Sequence, residues 1–156
     1  MFRSLLMADR DIALKNTTTN ETNIIFFYRS DIELAEHYAR SFVRIGRQEN
    51  QGKIKGSLIK VHILKELDTV DQLELKPAGI FVLEPLSTTK INAIVKYGKA
   101  HQIITFSPFS GDVEKGILGG LAVETRVRPY INAKTLQDSQ LRLRSFFLKV
   151  AKTYEK

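Results

Sequence analysis

Four short apolar runs, separated by amphipathic stretches, constrain this chain more than any other feature. IIFFYR (24–29), SLIKVHIL (57–64), AGIFVLEPL (78–86) and IITFSP (103–108) have the length and character of strands. The first and third are nearly continuous in apolar character, as in strands covered on both faces, while the second alternates. Between them the period changes. Leu34, Ala35, Tyr38, Ala39, Phe42 and Val43 recur at helical spacing up to Ile45, with Gly46 as a stop, and Ser30 or Asp31 stands where an N-cap belongs. LDTVDQLEL (67–75) predicts a short helix before Pro77, and Ser87 opens a helix that keeps Ile91, Ile94 and Val95 on one face.

Strand–helix alternation of this kind builds a mostly parallel sheet with helices on both faces. The expected fold is a single three-layer α/β domain with a mostly parallel sheet, a C-terminal β-hairpin and a closing helix. The hairpin falls in LAVETRVRPYIN (121–132), read as one or two strands. The closing helix spans Thr135 to Glu155 and packs through Leu136, Leu141, Leu143, Phe146, Phe147, Val150 and Ala151. Tyr28, Phe81, Phe106, Phe146 and Phe147 are expected to fill the core. Residues 1–23 form an N-terminal unit, an amphipathic helix carrying Phe2, Leu5, Leu6 and Ile12 followed by the polar loop KNTTTNETN, and residues 24–156 form the α/β domain.

Composition narrows the function classes. With 156 residues and 43% hydrophobic content, one core closes without a metal or disulfide. The absence of cysteine removes thiol nucleophiles, thiolate metal sites and disulfides together. The formal charge of +7 is dispersed, with 24 Lys and Arg interleaved among 17 acidic residues and no basic run of five. That pattern argues against dedicated nucleic-acid binding and leaves an acidic partner surface or anionic lipid. MFRSLLMADRD lacks the apolar core of a secretory signal, so the chain is expected to be cytosolic or to begin after a removed signal.

In open parallel sheets, ligands lie beyond the carboxyl ends of the strands, where helix N-termini converge. Residues 29–31, 84–88 and 107–112 reach that edge. Their candidate ligand-binding residues are Arg29, Ser30, Asp31, Glu84, Ser87, Ser107, Phe109 and Ser110, with helix capping as the competing role for Ser30, Asp31 and Ser87. An alternative is a small-molecule-binding lobe or small enzyme using the carboxylates Asp31, Glu84 and Asp112. Brought together, such groups repel, and one would keep a raised pKa suited to acid–base work.

FSPFSGDVEKGILGGL (106–121) holds four of the nine glycines but is not a phosphate loop. Gly111 and Gly116 have the spacing, yet Ile117 and Leu118 stand where lysine and a hydroxyl are required. The turn after the first strand contains no glycine, which removes the dinucleotide fingerprint. Its first half is expected to line a shallow pocket through Ser107, Phe109 and Ser110, and Gly116 to Gly120 to carry a close backbone passage into the hairpin. His37, His62 and His101 match no metal-ligand spacing, and no Gly-x-Ser-x-Gly elbow is present. A receiver domain would need an acidic pair after the first strand and an Asp ending the third, and neither occurs. Arg126 and Arg128 share one strand face, able to hold an anion, although a solvated face is the preferred reading. No cofactor or metal is implied, and the expectation is a non-enzymatic protein.

Over roughly residues 24 to 152, the chain resembles the YfiR-like family of bacterial periplasmic domains. The likeness rests on the buried strand at 79–83, the glycine turn Gly111 to Gly120, the hairpin, Asn132 before the last helical segment, and LKVA (148–151). The family's opening helix ending in Glu-Trp-Pro is replaced here by FRSLLMADRDIALK. The resemblance implies a periplasmic domain, exported by a signal not present in this chain, that represses a membrane-bound signalling protein such as a diguanylate cyclase. It also implies homodimers. The sheet is similar to one lobe of a periplasmic solute-binding protein, and a single lobe favours protein contact over tight solute capture.

Overall fold

The computed structural model describes residues 1–46 and 50–156. In chain order it contains α1 (Phe2–Ala8), a short 3₁₀ turn (Ile12–Lys15), β1 (Glu21–Phe27), α2 (Ile32–Arg44), β2 (Lys53–Ile54), β3 (Ser57–Leu64), α3 (Asp68–Gln72) and β4 (Gly79–Val82). There follow α4 (Thr88–His101), β5 (Ile104–Phe106), β6 (Gly119–Val123), β7 (Val127–Asn132), α5 (Ala133–Ser139), α6 (Ser145–Val150) and β8 (Lys152–Tyr154). The strands form one sheet in the order β2-β3-β1-β4-β5-β6-β7-β8. Its centre, from β3 to β6, is parallel, while β2 and β7 pair antiparallel with their inner neighbours.

The all-apolar run of β1 explains its central place. Ile24 and Phe26 enter one core, against Phe2, Leu5, Leu6 and Phe42. Ile25 and Phe27 enter the other, against Val70, Ile80, Ile91 and Ile94. Side chains alternate across a strand, so α1, α2 and α6 cover one face and α3 and α4 the other. The expected three-layer α/β architecture is the one observed. Both anticipated caps are present: the Asp31 carboxylate accepts from the Leu34 N–H at 2.9 Å, and the Ser87 hydroxyl from the Lys90 N–H at 3.3 Å.

Three local expectations change. First, β1 begins at Glu21, inside the stretch read as polar loop, because Thr22 and Asn23 are buried beside β3. Second, the single closing helix is divided into α5, α6 and the strand β8. Gln140 adopts a left-handed conformation (φ 57°) that ends α5. The next residues are taken by the N-terminus: Leu143 bridges Asp9, Arg10 donates its N–H to the Arg142 carbonyl, and Arg144 donates its N–H to the Ala8 carbonyl. Third, Phe146 is 63% exposed, whereas Phe147 is buried. Residues 47–49 of the Gln- and Asn-rich loop after α2 lie outside the described residues.

The glycines before the hairpin act as a close backbone passage. A Cβ on Gly119 would stand 2.5 Å from Leu5 Cδ2, and one on Gly79 2.7 Å from Leu6 Cδ2. Helix α1 therefore lies directly on the backbone of β4 and β6, with Leu5 and Leu6 fully buried.

Candidate functional site

Parallel register brings two carboxyl-edge loops together. Phe27 of β1 pairs with Val82 of β4, and Leu83 donates its N–H to the Phe27 carbonyl at 3.0 Å. Glu84, one residue further, consequently meets the turn that opens α2. Its Oε2 accepts the backbone N–H groups of Arg29 at 2.7 Å, Ser30 at 2.9 Å and Asp31 at 3.2 Å. Its Oε1 accepts the Ser30 hydroxyl at 2.9 Å.

Three successive backbone N–H groups converging at a helix start form a nest for an anion. Here the chain supplies the anion itself. The Ser30 N–H foremost, with those of Arg29 and Asp31 and the Ser30 hydroxyl, holds the Glu84 carboxyl down to about 2 despite burial that pushes it up. The expectation that crowded carboxylates would leave one with a raised pKa meets the opposite at Glu84, because its neighbours are donors rather than carboxylates. The Glu84 group stays ionised at neutral pH with four hydrogen bonds made, which suits a structural clamp and not a proton donor.

The eight candidate residues thus separate. Arg29, Ser30, Asp31 and Glu84 meet in the clamp, Arg29 only through its backbone. Ser87 caps α4. Ser107 is buried, donating to Asp112 Oδ2 at 2.6 Å and accepting the Phe109 N–H at 3.2 Å. Asp112 is held further by Lys115 at 3.5 Å. Phe109 and Ser110 line a depression of about 200 Å³ with Glu114, Leu121 and Tyr130. Ser107 faces inward rather than into that depression, since its hydroxyl serves the loop.

Arg126 and Arg128 line a separate depression of about 290 Å³ with Lys149 and Val150. Glu124 binds Arg128 at 3.1 Å and Lys152 at 2.6 Å, so the strand face is partly neutralised. The histidines are apart: His62 shares a hydrogen bond with Asn23 at 2.9 Å, and the His101 ring lies tilted against Tyr97 with centroids 4.3 Å apart.

Sequence reasoning missed one arrangement. A groove of about 310 Å³ between α1 and α2 is lined by Phe2, Arg3, Phe26, Tyr38, Phe42 and Phe81. The available signal was an arginine beside buried positions of a short apolar helix.

No protein-family model matches the sequence, and no curated protein does. Solved structures do share the fold. An ABC domain from Streptococcus pneumonia, determined in complex with L-Trp, superposes with a TM-score of 0.59 at 14% identity, over 96% of this chain and 61% of that one. A substrate-binding protein with adhesive properties from Clostridium difficile, in its ligand-free open form, gives 0.57 at 12% identity over 87% and 55%. A conserved domain protein from Vibrio cholerae O1 biovar eltor gives 0.57 at 11% identity over 91% and 57%. The chain spans less than two thirds of each of these proteins. At such identities the likeness concerns the fold alone, which this chain shares with the substrate-binding protein among them.

Proposed function

We propose that this chain is a non-enzymatic binding and regulatory domain that acts by contact on the periplasmic portion of a membrane-bound signalling protein, such as a diguanylate cyclase or sensor kinase. The observation that carries the proposal is an exposed apolar face beside cations. Val123 and Val127 pair across the hairpin, and Phe146 and Val150 stand one turn apart on α6. Their exposures are 73%, 55%, 63% and 56%. Val127 and Val150 line one depression with Arg126, Arg128 and Lys149, so the apolar and basic groups are contiguous. Contiguous exposed apolar surface marks an interaction site, and the net positive charge selects an acidic partner. The resemblance to YfiR-like domains supports the same partner class, and the self-filled anion nest at Glu84 is consistent with contact rather than chemistry.

The test is cellular. Expression of the chain in a bacterium containing the cyclase should lower cyclic diguanylate, and the Phe146→Asp, Val150→Asp double variant should lose that effect while remaining folded. Equal nucleotide levels with and without the wild-type chain would refute the regulatory role. Recovery of the native polypeptide in the cytosol without a processed precursor would refute the periplasmic location. Sedimentation of the two proteins tests homodimerisation, since a dimer formed through this face dissociates in the double variant.

A second reading, a solute-binding lobe, is favoured by the fold. It predicts saturable ligand binding whether or not a signalling partner is present.

A further inference from the structure

We propose that the groove between α1 and α2 binds a small aromatic carboxylate, with Arg3 as the group that receives the acid. The groove lies on a helix-covered face of the sheet and uses none of the carboxyl-edge residues. It therefore stands independently of the regulatory role.

The floor is aromatic. Phe2 lies 5.6 Å from Phe42 and 5.3 Å from Phe81, while Phe26 lies 5.4 Å and 5.3 Å from the same two rings. The rings pack against one another at angles aromatic pairs favour, and with Phe2, Phe26 and Phe42 all but buried they give the groove an apolar floor rather than open ring faces. Tyr38, 48% exposed, stands at the rim. The volume of about 310 Å³ falls at the small end of ligand sites, which span about 300–1,000 Å³, and suits a one- or two-ring molecule.

The polar end is Arg3. Its Nη2 donates to the carbonyls of Asn50 and Lys53. Its Nη1 is buried and, among the described residues, has no partner. A buried donor without an acceptor is costly, and a guanidinium edge fits a carboxylate better than any neutral acceptor. Burial also lowers the Arg3 pKa from its ordinary value, although the group remains charged at neutral pH. The groove is thus lined both by an apolar aromatic bed and by Arg3, a cation whose Nη1 has no acceptor among the described residues.

The chain contains no tryptophan, so indole emission reports on an added probe alone. Indole-3-acetate and its uncharged amide are titrated with the folded protein. The expected result is saturable, blue-shifted emission for both, with the acid bound about tenfold more tightly. Arg3→Met should bring the acid to the affinity of the amide and leave the amide unchanged. Ser41→Phe, at an exposed α2 position on the groove rim, should block both probes while circular dichroism remains that of the wild type. Equal affinities for acid and amide would overturn the role of Arg3. Absence of saturable binding, or binding untouched by Ser41→Phe, would overturn the site.

Discussion

Replacing Glu84 by Gln tests how much of the carboxyl edge depends on one charge. The side chain keeps its size, and its remaining oxygen can still face the N–H groups of Arg29, Ser30 and Asp31. What is lost is the ionic character of the three backbone hydrogen bonds, while the amide nitrogen in place of Oε1 donates to the Ser30 hydroxyl instead of accepting from it. Bonds to a charged acceptor contribute about 1.5–3 kcal/mol and neutral ones about 0.5–1.5, so each weakens by about 1 kcal/mol. Water reaches this edge, since Arg29, Ser30 and Asp31 are exposed, and screening reduces the combined loss from about 3 to about 1–2 kcal/mol. The Glu84 pKa is lowered in the folded state to about 2, from an ordinary value of 4.5. Its contribution is therefore complete above the unfolded value and disappears as pH falls through the folded one. Urea unfolding of both proteins at neutral pH should show the full difference, and the gap should close on acidification towards the folded value. Amide exchange at residues 29–31 should accelerate in the variant at neutral pH. Equal stability at neutral pH together with unchanged exchange at those three amides would refute the clamp.

Two further substitutions address other parts of the fold. Gly119→Ala places a methyl group 2.5 Å from Leu5 Cδ2 and should cost about 1–3 kcal/mol in denaturant unfolding. Adding Leu5→Ala should make the combined loss smaller than the sum of the two single losses, whereas strict additivity would mean that α1 does not press on that glycine. Ser107→Ala removes the 2.6 Å donor to Asp112 and the acceptor of the Phe109 N–H, and should destabilise by about 1–3 kcal/mol by the same assay. A neutral result there would mean that Ser107 is free to serve a ligand, as its position in the sequence first implied.

Local pattern was enough for the architecture. The uninterrupted apolar run at 24–27 requires cover on two faces, and the alternation of strand and helix requires a parallel sheet, so the three layers were legible before any coordinate. The caps Asp31 and Ser87 were legible for the same reason: a cap bonds within three residues, and its chemistry is present in the local sequence. The division of the last segment was not. Gln140 carries no breaker signal, and the segment 141–144 is drawn into pairing by Asp9 and Arg10, more than 130 residues away in the chain. Tertiary structure alone also decided what Glu84 does, because its donors are 53 to 55 residues distant and meet it only through the pairing of β1 with β4. The same holds for Arg3, whose nitrogen without a partner among the described residues arises where two helices far apart in sequence meet over one face of the sheet. Periodicity records which side of an element is buried; it contains no information about which distant group arrives there.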